Sequence, residues 1–257
     1  MSGTPKIEIR ELNKAFGRKR VLRGVNLAVA PGESVAIIGG SGSGKSVTLK
    51  CLLGLLDADS GDISIDGQSI LEARGRERQA LMSRIGVLFQ GAALFDSLTV
   101  WENVAFGLIS ERGMSRHDAR EVAIEKMALA GLESALADRS PAELSGGMQK
   151  RAGLARAIAT EPEIVLFDEP TTGLDPLMGD VINDLIADCV VDLGITALTI
   201  THDMRSACAI ADRIAMLHEG VIAWAGPVSD IRQSGNPVVD QFVSGRTDGP
   251  IQVAGRA

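Results

Sequence analysis

The sequence is short of several residue types, and each shortage limits what the protein can be. It contains no tyrosine, and aromatic residues make up only 3% of its 257 residues. The three cysteines, Cys51, Cys189 and Cys208, lie in apolar helical patterns and form no Cys-x-x-Cys pair, so we expect buried thiols in a reducing compartment. No run of about 18 apolar residues is present and no apolar signal segment opens the chain, so we expect no membrane-spanning helix.

Positive charge is also scarce. Twenty-six lysines and arginines face 33 acidic residues, which gives a net charge of −7, and no basic tract stands out beyond Arg18–Arg20. This balance argues against nucleic acid as the main partner. A chain of this length can bury one large α/β core with room for a smaller appended unit.

The stretch Gly39–Ser46 fits the pattern G-x-x-x-x-G-K-[ST]. It follows the apolar run Val35–Ile38 and precedes Val47–Lys50, which begins a helical pattern. This strand–loop–helix context separates a phosphate-binding loop from a glycine-rich turn that carries a surface lysine. The glycines let backbone N–H groups point inward, and the helix N-terminus adds positive charge. We predict a nucleoside triphosphate site in which Lys45 reaches the β- and γ-phosphates and Ser46 contacts Mg²⁺.

Hydrophobic patterns around this loop predict an α/β fold. Alternating segments near residues 7–9, 25–29 and 62–67 indicate a small antiparallel sheet. Buried parallel strands are predicted at Ile85–Phe89, Ile164–Phe167, Ile195–Ile200 and Arg213–Leu217. Helices are predicted after Ser115, near Ser145 and after Pro176; the pattern stops at Asn236, and we expect Gly245–Pro250 to begin a loose tail.

Four residues of interest come at the C-terminal ends of apolar runs. They are Gly39, Gln90, Asp168 and His202. Because open parallel sheets bind ligands at the carboxyl edge of their strands, we expect the four motifs to meet at one crevice. There, Asp168 is suited to Mg²⁺ and Glu169 to orienting or deprotonating an attacking water, although a lone Asp-Glu pair is commonly the start of a loop.

The segment Leu144–Met148 indicates the family. Together with the phosphate loop, Gln90, Asp168-Glu169 and His202, it resembles the signature of ABC transporter ATP-binding subunits. Ser145 and the two glycines after it open a helix and so form a second anion site, which suggests the γ-phosphate of a partner chain. The resemblance implies a P-loop NTPase (RecA-like) core with a parallel sheet, a small antiparallel β subdomain and an inserted helical subdomain. The ATP-binding domain would span 1–235, the insert about 91–160, and the tail 236–257.

The same resemblance implies the site residues. ATP would be bound by Phe16, Gly39, Gly40, Ser41, Gly42, Ser43, Gly44, Lys45, Ser46, Val47, Ser145, Gly146 and Gly147. The Mg²⁺ ligands would be Ser46, Gln90 and Asp168, the catalytic residues Glu169, His202 and Gln90, and Asp175 would lie at a dimer interface. Phe16 stands where an aromatic ring, frequently tyrosine, stacks on adenine.

Met148 replaces the usual glutamine of the signature. With the stretch Gly91–Val100 and the ending Gln241–Gly245, it resembles the ATPases of Mla-type phospholipid transporters. This implies a homodimer bound peripherally on the cytoplasmic side of the inner membrane, with integral-membrane permease subunits and with small accessory and periplasmic lipid-binding subunits. The apolar run 92–101 would receive the permease or would be ordinary core.

Three other interpretations of the function stay open. They are an importer of another small substrate, a non-transport ABC protein that acts on ribosomes or DNA, and a module that has lost catalysis. Intact Lys45, Glu169 and His202 oppose the last of these.

Overall fold

The computed structural model describes residues 3–251, which divide into two compact units. The first unit takes the described residues up to Leu81 and from Leu198 onwards, and the second is Met82–Ala197. The elements in chain order are β1 (Ile7–Phe16), β2 (Lys19–Val29), β3 (Ser34–Ile38), α1 (Lys45–Leu52), β4 (Ser60–Ile65), β5 (Gln68–Ser69), α2 (Gly75–Met82), β6 (Ile85–Leu88), α3 (Val100–Val104), α4 (Phe106–Ser110), α5 (Arg116–Leu129), α6 (Gly146–Ala159), β7 (Ile164–Asp168), α7 (Pro176–Leu193), β8 (Thr196–Ile200), α8 (Met204–Ile210), β9 (Arg213–His218), β10 (Val221–Pro227) and α9 (Pro237–Ser244). Short 3₁₀ helices cover Ser134–Leu136, Pro141–Glu143 and Val228–Gln233.

The first unit contains the predicted small antiparallel sheet, in the strand order β2-β1-β4-β5. The residues of β1 that face inward, such as Ile7 and Ile9, pair with Val29 and Leu27 of β2 and are buried. This alternation of buried and exposed positions is what a sheet with one covered face requires.

The same unit holds a second group of strands, which supports the phosphate loop. β3 is buried at all five positions and pairs in parallel with β9, with Ile38 opposite Met216. β9 then pairs antiparallel with β10 through the turn at Glu219 and Gly220, which both have positive φ. α8, β3, β9 and α9 contribute side chains to one buried cluster.

The second unit is built around α6, which packs against β6, α3 and α5. β6 and β7 are parallel, with Leu88 opposite Phe167, so both strands end at the same edge. α7 begins with Asp175 as its N-cap and Pro176 in its first turn, and it ends at Gly194, whose φ is 60°. These are the residues that favour helix starts and stops.

β8 lies where the chain passes from the second unit back to the first. In the second unit, Thr196 at its start donates its N–H to the carbonyl of Glu163. In the first unit, Thr201 just after it donates to the carbonyl of Ile37 in β3. No helix within residues 3–251 has both the length and the apolar composition needed to cross a membrane.

The structure contains a further helix after Asn236, where the sequence pattern stops. Residues 237–244 form α9, whose Val239 is fully buried. Gln241, only 3% exposed, donates its amide to the carbonyls of Arg246 and Ile251 and accepts the N–H of Ile251 at 2.7 Å. The sequence pattern missed this because α9 is short and its partners are distant in sequence. Residues 252–257 of the expected tail lie outside the described residues.

The expectation that all three cysteines are buried is wrong for one of them. Cys51 and Cys189 are buried as predicted, but Cys208 is exposed, because it lies on the outer face of α8. The second compact unit, Met82–Ala197, contains the expected insert at about 91–160 together with β6, β7 and α7, and the bounds of the insert stay a prediction.

Candidate functional site

The phosphate loop of the first unit has a backbone that only glycine can adopt at two positions. Gly39 has φ +155°, and a Cβ there would lie 2.3 Å from the carbonyl oxygen of Leu217. Gly44 has φ +113°, and a Cβ there would lie 2.6 Å from a methyl carbon of Leu22. The loop therefore approaches β9 and β2 closely, and any side chain at either position would displace it.

Lys45 is the first residue of α1 and is only 7% exposed. Its ammonium folds back over the loop and donates to the carbonyls of Gly39 at 2.8 Å and Gly40 at 3.2 Å. A positive charge is thus fixed inside the curl of the loop, at the N-terminus of a helix that has no acidic residue in its first turn. The fixed positive charge and the helix N-terminus together favour the binding of an anion.

Ser43 supplies a further test of the phosphate fit. Its hydroxyl oxygen is buried and has no hydrogen-bond partner among the described residues. A buried hydroxyl without a partner is destabilising, and a phosphate oxygen in the loop would satisfy it. Ser46, one residue after Lys45, is exposed at the helix start. The loop fits a polyphosphate in charge and in hydrogen-bonding capacity.

His202 and Phe16 belong to the same unit as the phosphate loop. His202 is exposed and follows Thr201, whose bond to Ile37 aligns it with the end of β3, where the loop begins. Phe16 ends β1, is 49% exposed, and has the Lys14 ammonium 5.7 Å from its ring centroid. Asp59 fixes Lys14 by an ion pair of 2.8 Å, so one ring face has a cation nearby while half of the side chain stays accessible.

The second unit brings Gln90, Asp168 and Glu169 to one sheet edge. The parallel pairing of β6 with β7 places the residues after Leu88 beside those after Phe167. Glu169 has φ +47°, a left-handed conformation that is uncommon for a residue with a side chain. Strain of this kind is found most often at functional sites, where the surrounding structure maintains it.

Three side chains that the sequence analysis did not single out contact this edge. Thr172 donates its hydroxyl to the carboxylate of Glu169 at 2.9 Å. Lys150 donates to the backbone carbonyls of Gln90 and Glu169, and Arg156 donates to those of Ala92 and Ala93. The available signal was two cations on the otherwise apolar face of the helix after Ser145.

Burial lowers the pKa of both cationic side chains. Desolvation lowers the pKa of the Lys150 ammonium, and the negative charges of Asp168 and Glu169 oppose that change. Desolvation likewise lowers the pKa of the Arg156 guanidinium from its ordinary high value. Both groups donate to carbonyls, which is how a buried cation is stabilised.

Ser145 and the glycines after it open α6, as predicted. The Ser145 hydroxyl is exposed and accepts the N–H of Met148 at 3.3 Å. No acidic residue occupies the first turn of α6, and Gly147 packs so tightly that a Cβ would lie 2.7 Å from the terminal methyl of Met178. Since Met148 contributes its backbone N–H, this cap does not depend on the missing glutamine.

Asp175 caps α7 and accepts the N–H groups of Leu177 and Met178, both at 3.1 Å. It is exposed, and the neighbouring Leu177 is 78% exposed.

The apolar run after Gln90 contains both buried and exposed residues. Ala92 and Trp101 are core, whereas Phe95 is 44% exposed and its ring centroid lies 4.7 Å from that of Phe106.

The predicted residues therefore fall into two sets. The phosphate loop, Phe16 and His202 belong to the first unit, and Gln90, Ser145, Asp168, Glu169 and Asp175 belong to the second. Their meeting at one crevice stays a prediction.

Within residues 3–251, no cluster of three or more histidine, cysteine or acidic residues could hold a metal ion. That is compatible with Mg²⁺, which usually keeps several waters and binds one or two carboxylates plus substrate phosphates.

The geometry of a phosphate loop, a strand-end acid pair and a capped signature helix agrees with the family comparison. The sequence model of the ABC transporter family matches residues 22–172. The chain belongs to the ABC transporter family. The predictions of an ABC ATP-binding subunit, an α/β fold and ATP hydrolysis are confirmed.

Two curated relatives and one solved structure illustrate the similarity. The chain is 42% identical to TRIGALACTOSYLDIACYLGLYCEROL 3 of Arabidopsis thaliana, over 96% of this chain and 75% of that protein. It is 37% identical to the intermembrane phospholipid transport ATP-binding protein MlaF of Haemophilus influenzae, over 96% and 93%. A dimeric, post-hydrolysis structure of the cassette MJ0796 with ADP and phosphate has a TM-score of 0.79, with 34% identity over 86% of this chain and 98% of that one. Relatives named for amino-acid and for sulfate import also match.

Proposed function

We propose that this ABC ATPase powers the movement of phospholipid between membranes through a separate permease. The observation that carries the ATPase part is the phosphate loop, in which Lys45 is buried against the loop carbonyls and Ser43 has a buried, unbonded hydroxyl. The lipid part is supported by the relative named for intermembrane phospholipid transport and by the signature with Met148.

ATP binding is assigned first to the phosphate loop. The N–H groups of residues 39–47 and the Lys45 ammonium hold the phosphates, and Phe16 stacks on adenine. Ser46, Asp168 and Gln90 would hold Mg²⁺. That ion, when bound, neutralises charge that develops on the phosphate oxygens.

Hydrolysis is assigned to Glu169 and His202. The carboxylate of Glu169, oriented by Thr172, accepts a proton from the attacking water. His202 donates to the γ-phosphate and stabilises the charge that develops on it. Gln90 orients the same water from the end of β6.

Each site is shared between two copies of the chain. The loop of one copy binds ATP, and the α6 N-terminus of the other copy, with Ser145, Gly146 and Gly147, faces the γ-phosphate. The similarity to a dimeric cassette and the exposed Leu177 beside Asp175 support an interface there. An isologous dimer makes both sites equivalent.

The permease contact is assigned to the exposed aromatic pair Phe95 and Phe106. Apolar and aromatic surfaces of this kind receive amphipathic helices of a partner. The dimer would then sit peripherally on the cytoplasmic face of the inner membrane, with accessory and periplasmic lipid-binding subunits completing the complex.

Transport by the purified complex in liposomes tests the proposal. ATP-dependent movement of a fluorescent phospholipid is expected, and it should be absent from the matched complex that carries Glu169→Gln. ATP-dependent uptake of an amino acid or of sulfate, with no lipid movement, would favour the importer reading and overturn the lipid assignment. The ATPase assignment would stand in that case.

A further inference from the structure

One face of α6 contacts the chain segment that follows β6, entirely within the second unit. This face carries Lys150, Gly153 and Arg156, which are spaced three residues apart. Lys150 is 5% exposed, and its ammonium donates to the carbonyl of Gln90 and, at 3.3 Å, to that of Glu169. A single side chain therefore connects the backbones of two residues that are 79 positions apart in the sequence.

The segment after Gln90 is strained, and the same helix face maintains it. Ala92 and Ala93 have φ values of +59° and +50°, and two consecutive left-handed alanines are unfavourable. The Arg156 guanidinium donates to both of their carbonyls, at 2.6 and 2.7 Å. At Gly153 a Cβ would lie 2.7 Å from a methyl of Leu88 and 3.1 Å from the Cβ of Ala92, so no larger residue fits.

A lysine at position 150 has a cost that a methionine would not have. Removing an ammonium from water is unfavourable unless its donors are satisfied. Two carbonyl dipoles and the charges of Asp168 and Glu169 compensate this cost. The hydrogen bonds of Lys150 go to backbone carbonyls, so the lysine fixes the backbones of Gln90 and Glu169.

We propose that Lys150 is a positioning residue for ATP hydrolysis, which holds the backbone of Gln90 at a fixed separation from that of Glu169. The inference rests on the roles proposed above for these two residues. With the connection intact, the glutamine amide and the glutamate carboxylate face one water from a constant geometry. Without it, the backbone of Gln90 can shift relative to that of Glu169 and the two groups lose alignment, while the phosphate loop is unchanged.

The test uses the purified full-length homodimer and separates turnover from binding. Lys150→Met is expected to lower kcat by about 10- to 100-fold, because a displacement near 1 Å can cost that much. The Kd for ATP should stay within about twofold of wild type, since Lys45 and its loop are untouched. Lys150→Arg can still donate to both carbonyls and should recover most of the turnover.

Lys126→Met is the matched control. Lys126 is also a buried lysine of the second unit, 3% exposed, but its ammonium pairs with Glu161 at 3.1 Å, away from the sheet edge. Its loss should lower the unfolding temperature and leave kcat unchanged. Amide hydrogen exchange over residues 90–93 should accelerate in Lys150→Met and not in the control.

A folded Lys150→Met with wild-type kcat would overturn the proposal, as would equal losses in both lysine variants. If Lys150→Met does not fold, Lys150→Gln replaces it, because the glutamine amide can still donate to one carbonyl. A kcat between those of wild type and a fully inactive variant supports the proposal. An unchanged kcat overturns it. Glu169→Gln is measured in parallel. Full turnover in Glu169→Gln would defeat the proposed role of Glu169 itself, whatever Lys150 does.

Discussion

The hydroxyl of Thr172 donates to the Glu169 carboxylate across 2.9 Å, and the backbone N–H of Thr172 donates to the Glu169 carbonyl across 3.2 Å. The residue that follows the strand end is thus fixed at both its side chain and its backbone, even though its φ is +47°. These two contacts restrict the rotation of the Glu169 side chain and fix the direction of its carboxylate.

Replacing Glu169 by glutamine keeps size and shape and removes the base. Turnover should fall by about 10²–10⁴-fold, while ATP binding persists. Phosphate release and nucleotide affinity, measured on the same preparation, check this. Glu133→Gln, a change at an exposed acid of the same unit, is the control and should be silent. Near-normal hydrolysis in Glu169→Gln would defeat the assignment.

Thr172→Val removes the hydroxyl and keeps the branched shape. The Glu169 carboxylate should then rotate more freely, and kcat should fall by about 10-fold with little change in Kd for ATP. Thr172→Ser retains the donor and should stay close to wild type. If Val and Ser variants have the same kcat, the hydrogen bond does not orient the base.

The shared site can be tested by mixing two inactive chains. Lys45→Ala damages the phosphate loop, and Ser145→Arg damages the α6 anion site. A mixed dimer has one intact composite site, so random pairing should restore about a quarter of wild-type activity. A chain carrying both changes, mixed with Lys45→Ala, contains no intact loop and is the control. Full hydrolysis by a strictly monomeric wild-type chain would contradict the shared site.

The aromatic pair provides a test of membrane recruitment. Phe95→Glu should reduce co-sedimentation with permease-containing membranes by about 10-fold or more, because a charge is placed in an apolar contact. ATP binding and the unfolding temperature should be retained. Leu129→Glu, at a residue of α5 that is 43% exposed, is the matched surface control. Unfolding of Phe95→Glu would indicate that the pair is core.

The three cysteines should differ sharply in reactivity. Burial raises the pKa of the Cys51 and Cys189 thiols to about 11, so at pH 8 only about one in a thousand is thiolate. Cys208 is exposed, and its pKa is raised to a smaller extent by partial burial. A maleimide should label one thiol rapidly in the native protein and three in denaturant. Cys208→Ser should abolish the rapid phase, and rapid labelling of a second thiol would contradict the burial.

Much of the architecture was predictable because its signals are local. β3, β7 and β9 are continuous apolar runs, and their observed bounds differ from the predicted ones by at most one residue. Ser115 and Ser145 are N-caps, as their hydroxyls indicate. Such patterns are set within a few residues of the chain and can be read without a structure.

The features that could not be predicted depend on distant pairs. In the sequence, Lys150 and Arg156 resemble ordinary charged residues on the surface of a helix. Only the fold brings them to carbonyls about 60 positions away. The left-handed conformations of Ala92 and Ala93 contradict the preference of alanine and are maintained by that contact. For the same reason α9 was missed, since its partners come from β3, β9 and the chain beyond it.

The amide of Gln241 has a consequence for synthesis of the protein. Its three backbone partners come from Arg246 and Ile251, which are synthesised after all the catalytic motifs. A chain that stopped at Gly245 would contain every catalytic motif, yet it would bury an amide without those partners, at a cost of about 1–3 kcal/mol. Incomplete products would therefore unfold more often and be degraded sooner. The side chain at position 241 thus makes the stability of α9 depend on the six residues that follow Gly245.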